Sequence, residues 1–357
     1  MKKVILYGGI GLLLILFLYL SLFRYIEPSI KLNRDLEIDL TSWNIDQDLS
    51  SIETDYFFSP SRVKYFPLKP DHQFVVSYKD KKEFSGHNNE MPWLAGNYII
   101  NLWNLHYYKN ISIEKHLADL KIAANFLKNR AIIQKNTATW KVHLKFRRYD
   151  LPEEWPSAYQ QGKILSGIAR YYQLTEDATF LELGKKAVNF CEVSVNDGGI
   201  LSNAEEGGYI YEEYPTTPPN SVLNGHIFCL FGLFDFYRAT KYEKAKELFD
   251  KGVEYLLTDL HKYDTGYWSY YDLKTKFVTD YAYHAKVHIP QLRILYQITG
   301  NEKFAAYADK WKSYLSQPYY TLFKFEVLYD AFVRRLTYKS WLTRGVERRL
   351  TTEEEVD

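Results

Sequence analysis

"SVLNGHIFCLFGLFDFY", residues 221–237, decides the fold. Beyond its first turn the apolar residues do not keep to one face, so a helix over this stretch must be buried on most sides. The stretch that follows, "KYEKAKELFDKGVEYL" (241–256), has the same period and a different distribution. Ala245, Leu248, Phe249 and Leu256 form one stripe against a Lys/Glu face, the pattern of a helix with one side in water. This pairing recurs: helix-like segments start near Trp93, Ser157, Ser221 and Ala285, each 64 residues after the last. Each is followed by an amphipathic partner, the others being "SIEKHLADLKIAANFL", "ATFLELGKKAVNF" and "NEKFAAYADKWKSYL". The repeat predicts four helical hairpins in a mainly α protein. Inner helices enclosed by outer ones make an α/α toroid; a linear stack of helix pairs would less readily bury one whole set.

Outward from this repeat, the chain divides by composition. The toroid is expected over 92–320. Before it, 26–91 is a β or irregular segment, with Pro28, Pro60, Pro67 and Pro70 and short alternating runs such as "FVVSY". After it, 321–357 reads as a helix and a charged tail. At the start, Lys2 and Lys3 precede "VILYGGIGLLLILFLYLSLF" (4–23), an uncharged run long enough to cross a bilayer, with no small-residue cleavage site after it. The expectation is an uncleaved single-pass anchor over 1–25, with the domain extracytoplasmic. The chain is globular in balance, 46% hydrophobic and 25% charged, and its net charge of +1 gives no pull toward nucleic acid. Its two cysteines, Cys191 and Cys229, form no CxxC and no cluster with histidine, so they read as buried free thiols.

The chemistry-bearing residues gather at the amino ends of the inner helices. In a toroid those ends share one mouth, and helix amino termini favour anions. The polar stretches there are "PSAYQQGK", "TTPPNSVLNGH" and "YHAKVHIPQ". Three clusters stand out: Tyr211, Glu212, Glu213 and Tyr214, stiffened by Pro215, Pro218 and Pro219; "YDTGYWSYYDLK" (263–274), a turn or short hairpin at Gly266; and "YAYHAKVHIPQ" (281–291). With 32 tyrosines and 8 tryptophans, aromatic rings are plentiful both for packing and for stacking on sugar faces. Each cluster also has a structural reading. Glu213 could cap the helix that follows, and the tyrosines could be core. His284 and His288 stand four apart, but no third ligand accompanies them and Pro290 disturbs the helix, so no metal and no other cofactor is expected.

Taken together, "YEEYPTTPPNSVLNG", "YDTGYWSYYDL", the "YH…HI.QL" segment and "KWKSYL" resemble, in order and spacing, the carboxy-terminal domain of the D-glucuronyl C5-epimerases. The likeness runs from about Trp93 to Leu315. It implies an α/α-barrel catalytic domain, a membrane-anchored topology and inversion of C5 in glucuronic acid residues of heparosan-type polysaccharides. Such inversion needs a base on one face, an acid on the other, and donors or cations for the charge that develops on the carboxylate. A tyrosine is a natural donor and, with its pKa lowered, an acceptor. Carried over position by position, the resemblance implies catalytic roles for Glu213, Tyr214, Tyr271 and Tyr283. It implies substrate contacts at Gln161, Asn224, Lys274, His284 and His288. Two departures bear on this. Lys274 stands where the family has an arginine, which loses the planar two-point grip on a carboxylate. Between Tyr283 and His288 there is one residue more than in the family pattern, so Tyr281 and His284 compete with Tyr283 for its place. The region before Trp93 is also shorter than the family's β-rich part.

The expected partners are a uronic-acid polysaccharide and the membrane, with no nucleic acid; a homodimer is compatible with the sequence. A polysaccharide lyase would use the same proton abstraction on a uronate polymer. A non-catalytic polysaccharide-binding protein of an export system would keep the aromatics without needing an acid and a base. A glycoside hydrolase is the weaker alternative, because Glu213 has no evident second carboxylate in a matching loop.

Overall fold

The computed structural model describes residues 75–76, 84–85, 89–109 and 112–328. All of them belong to the second of the chain's two units, Ile45–Asp357. The expected anchor over 1–25 lies outside the described residues, as do most of 26–91 and the tail beyond 328. Among the described residues no helix is long and apolar enough to cross a membrane.

The four hairpins form where the repeat places them. The first pairs α1 (Pro92–Lys109) with α2 (Leu117–Arg130), and the second pairs α3 (Ala158–Thr175) with α4 (Ala178–Phe190). The third pairs α5 (Leu223–Thr240) with α6 (Glu243–Asp259). In the fourth, a turn α7 (Tyr281–Tyr283) passes through a π-helical segment, His284–His288, into α8 (Ile289–Thr299), whose partner is α9 (Glu302–Ser313).

Three of the hairpins turn by the same device. Thr175, Thr240 and Thr299 each donate a hydroxyl to the carbonyl four residues back and accept the N–H two residues on. The residue between is left-handed in every case: Glu176, Lys241 and Gly300, with φ of 54, 56 and 67°. Its N–H closes on the carbonyl of Tyr172, Tyr237 or Tyr296, which ends the first helix. Asp177 and Asn301 then cap the second helix by accepting from Thr179 and Lys303 N–H.

The first helices form an inner row in which α3 packs against both α1 and α5, and α5 reaches the π-helical segment. Their all-round apolarity follows from this position. They also approach closely, because the contacts fall on glycine. A Cβ on Gly162 would lie 2.1 Å from Phe228 O, and one on Gly232 would lie 2.3 Å from Gly162 O. Eight residues after Gly162, Arg170 meets Asp235 at 2.6 Å with both side chains fully buried, so α3 and α5 run parallel. Cys191 and Cys229 are buried thiols whose sulfurs lie 3.9 Å apart.

Described strands lie within 26–91 and also beyond it. The described strands are β1 (Val75–Val76), β2 (Phe84–Ser85), β3 (Asn89–Glu90), β4 (Ile132–Gln134), β5 (Thr137–Thr139), β6 (Lys141–His143), β7 (Lys145–Phe146), β8 (Glu154–Pro156), β9 (Leu201–Asn203) and β10 (Tyr209–Tyr211). They pair in antiparallel twos: β1 with β3, β2 with β7, β4 with β5, β6 with β8 and β9 with β10. Five of them lie between the first and second hairpins. The sequence there alternates: Trp140, Val142, Leu144 and Phe146 are buried, while Lys141 and His143 between them are not. Val142, Leu144 and Phe146 join Met91, Tyr149, Leu151 and Trp155 in a small core.

Candidate active site

Strand β10 delivers the "EEY" triplet. Tyr211 N–H donates to His226 Nδ1, and His226 Nε2 meets Gly252 O, so a neutral buried histidine pins the strand to α5 and α6. Burial lowers its pKa to about 4. The next two glutamates then take different roles. Glu212 accepts the N–H of Ser221 at 3.0 and 3.3 Å, where Ser221 is left-handed at φ 53°. It clasps the loop just before α5, while Asn220 Nδ2 donates to Tyr214 O at 2.6 Å. Neither glutamate caps α5, whose N-cap Val222 has no side-chain cap bond, so the structural alternative for Glu213 is not realised. Burial raises the pKa of Glu212 to about 8.

Glu213 faces a cluster of polar side chains instead. Asn224 Nδ2 lies 3.3 Å from its Oε2, and the Tyr271 hydroxyl lies 3.4 and 3.5 Å from its two oxygens. These are long contacts, of the kind that tighten when a substrate fills a site. The carboxylate fits because residue 225 is glycine: a Cβ there would lie 2.4 Å from Glu213 Cβ and Oε2. At 7% exposure Glu213 is largely withdrawn from water, and burial raises its pKa to about 7 against the three hydrogen bonds that lower it. Asn224 Oδ1 is buried with no hydrogen-bond partner among the described residues.

Tyr214 and Tyr271 meet hydroxyl to hydroxyl at 3.3 Å. The Tyr214 ring is seated in the small core, stacked on Tyr149 at 4.7 Å and flanked by Phe146 and Trp155 at 4.9 and 5.4 Å. Tyr149 is itself fixed by donating to Asp272 Oδ2 at 3.1 Å. The amino end of α5 holds Tyr271: Leu223 N–H donates to its carbonyl, and its own N–H donates to Phe277 O at 2.6 Å. Tyr283 stands edge-on to Tyr271, with ring centroids 5.6 Å apart, and is 38% exposed. Burial raises all three phenols, and the neighbouring Glu213 charge raises them further. They are therefore proton donors, and no cation among the described residues lowers one into an acceptor as the sequence reading allowed.

The structure thus brings together Glu213, Tyr214, Tyr271, Tyr283 and Asn224, and it separates the remaining candidates. Tyr281 packs against Tyr320 and Trp268, which leaves Tyr283 at the cluster. Gln161 is not a substrate contact: its amide donates to Ala138 O and Ala187 O and accepts from Thr139, tying α3 to β5 and α4. His284 and His288 lie beneath Trp268 and Trp311, buried completely. His284 Nε2 must donate to Trp311 O, so its Nδ1 accepts from Ser269, whose oxygen in turn accepts from His288 Nδ1. This chain fixes the bend of the 263–279 segment against α9. Burial lowers the two histidines to about 4 and about 3, so they carry no charge to a substrate. Lys274 binds the proline loop, with Nζ 3.1 Å from Thr216 Oγ1 and 3.4 Å from Pro218 O.

Sequence reasoning assigned no role to Tyr149, Asp272 or Glu212, which hold the cluster from behind. The alternation running from Trp140 to Phe146 was the signal for the strands that lead into the turn bearing Tyr149.

Among known proteins, the family described as D-glucuronyl C5-epimerase C-terminus matches residues 134–313. The D-glucuronyl C5-epimerase of Caenorhabditis elegans is 31% identical over 223 residues, which cover 56% of this chain and 35% of that protein. The chain therefore spans about a third of that relative's length. An uncharacterized protein of Methanocaldococcus jannaschii is 27% identical over 290 residues, 72% of this chain and 92% of its own. Two solved structures are similar to part of the chain. Cellobiose 2-epimerase from Bacillus thermoamylovorans has a TM-score of 0.45 at 10% identity, covering 64% of this chain and 60% of that one. A family 76 glycoside hydrolase from a bovine Bacteroides thetaiotaomicron strain has a TM-score of 0.46 at 12% identity, covering 71% and 54%.

Proposed function

Because this chain belongs to the D-glucuronyl C5-epimerase C-terminal family, we propose that it is a carbohydrate epimerase inverting C5 of uronic acid residues in a polysaccharide. The observation that carries this reading is a buried carboxyl with a pKa of about 7, within hydrogen-bond reach of a phenol that burial keeps protonated. A general base works best when its pKa lies near the working pH, and the neighbouring donors remain available for the acid step.

Glu213 takes the C5 proton, and the electron pair left behind is delocalised onto the uronate carboxyl group. A phenol on the other face, Tyr283 at the open side of the cluster, returns a proton to C5. Glu213 then passes its proton on through Tyr271 or to water, and the Tyr283 phenolate is reprotonated, so no net proton is consumed. Tyr214 holds Tyr271 from behind, and Asn224 offers Nδ2 to the base and Oδ1 to a sugar hydroxyl. The inner row of helices is the wall of an α/α toroid with this cluster at its mouth, and the run over 4–23 anchors the domain to a membrane, extracytoplasmic side outward.

The test is incubation of the protein with heparosan and other uronate polymers in deuterated water, following deuterium at C5 by NMR. Exchange is expected with the wild type and is expected to be lost, with the fold intact, in Tyr271→Phe and Tyr283→Phe but not in Tyr281→Phe. A product absorbing in the ultraviolet would show elimination and make the protein a lyase. Binding without exchange on every polymer would overturn the enzymatic reading.

A further inference from the structure

The proposed site is acidic before any substrate arrives. Glu212, Glu213 and Asp272 all bury carboxyl groups around Tyr214 and Tyr271, and a uronate adds a further negative charge. Donors or a cation can hold that carboxylate and take up the charge that develops on it. Lys274 is engaged on the proline loop, through Thr216 and Pro218.

A second cation borders the cluster on the side of the small core. Residues Arg147–Tyr149 form a 3₁₀ turn, in which successive side chains point about 120° apart. Tyr149 turns inward and stacks on Tyr214, and Arg148 turns outward and is exposed. The Arg148 guanidinium lies 4.8 Å from the centre of the Phe277 ring. Phe277 stands edge-on to Tyr271 at 6.5 Å, and its carbonyl accepts the Tyr271 N–H. One aromatic ring thus separates the arginine from the phenol that touches Glu213. A guanidinium on a ring face is oriented by it, and its N–H donors lie in its own plane, where a carboxylate can be gripped at two points. Lysine offers no such planar fork.

We propose that Arg148, seated on Phe277, is a specificity-determining cation that binds a uronate carboxylate of the polymer beside the cluster. This assignment rests on the epimerase reading for the identity of the anion and on the geometry of the turn for the identity of the cation. Phe277 orients the guanidinium without touching substrate, so it is a positioning residue.

Heparosan and carboxyl-reduced heparosan are the probes, with binding measured by quenching of tryptophan fluorescence and C5 exchange measured in parallel. Arg148→Ala is expected to weaken heparosan binding about tenfold or more, the effect of losing a charge-assisted two-point contact. It should leave the weak binding of the carboxyl-reduced polymer unchanged. Arg148→Lys should recover only part of the loss, and Lys274→Ala should weaken binding less than Arg148→Ala. The proposal is overturned if Arg148→Ala binds heparosan like the wild type, if it weakens both polymers equally, or if Lys274→Ala has the larger effect. Wild-type exchange with an unaffected Arg148→Ala variant sinks the arginine and keeps the epimerase. Arg148-dependent binding without wild-type exchange keeps the arginine and sinks the epimerase. No binding of either polymer to the wild type overturns both.

Discussion

Glu213→Gln distinguishes a catalytic base from a structural carboxylate, because the two demand opposite effects on stability. In the folded protein burial holds the Glu213 carboxyl at about 7, against an ordinary value of 4.5. Between those values the unfolded chain has released its proton and the folded one has not, so the unfolded state binds fewer protons and stability falls as pH rises. The full cost is present above about pH 7 and absent below about pH 4. At about 1.4 kcal/mol for each pH unit, the ceiling is about 3 kcal/mol. Glutamine escapes this cost and gives up one acceptor oxygen, a loss of about 1 kcal/mol. The variant should therefore be more stable than wild type by about 2 kcal/mol near pH 8 and no more stable near pH 4. Glu212 is raised in the same direction, to about 8, but it is present in both proteins and cancels in the difference. Urea unfolding of the two proteins at several pH values measures that difference, with C5 exchange as the activity readout. Exchange should be lost although stability rises. A variant less stable than wild type at high pH, with residual activity following its folded fraction, would refute the reasoning and make Glu213 a structural group.

Gly225→Ala would place a methyl carbon 2.4 Å from Glu213 and move the carboxylate. Exchange should fall at least tenfold, about 1.4 kcal/mol in the barrier, with circular dichroism unchanged. Asp235→Ala would remove the carboxylate that meets the buried Arg170 guanidinium between α3 and α5. That should lower stability by about 3–5 kcal/mol in urea unfolding.

The hairpins were legible because their signal is long and redundant. Helix-length windows of opposite pattern, repeated four times, overdetermine the helices, and three of the turns carry matching threonines that the structure puts to one use. Glu213, Tyr214 and Tyr271 were legible because they sit in unusual local sequence. Gln161, His284 and His288 were misread for one physical reason. A polar side chain at the amino end of an inner helix points either into the mouth or back among its neighbours, and one-dimensional sequence does not carry that angle. Gln161 and the two histidines turn back and satisfy buried carbonyls and Ser269. Tyr149 and Arg148 were missed because their importance lies in contacts with Asp272, Tyr214 and Phe277, residues far along the chain that only the fold brings near.

The π-helical segment His284–His288 makes the fourth hairpin a vernier. On an α-helix each added residue rotates everything before it by about 100°, which would swing a tyrosine from a site into the core. A wide turn absorbs the extra residue locally, so the rod on either side keeps its phase. Tyr283 stays against Tyr271 while Gln291, farther along, still donates to Asn224 O. A gap opened elsewhere when this chain is aligned to a relative one residue shorter would pair the wrong side chains. Placed within 284–288, it would leave the helix on either side in phase, so a residue can be gained or lost there without turning Tyr283 away from Tyr271.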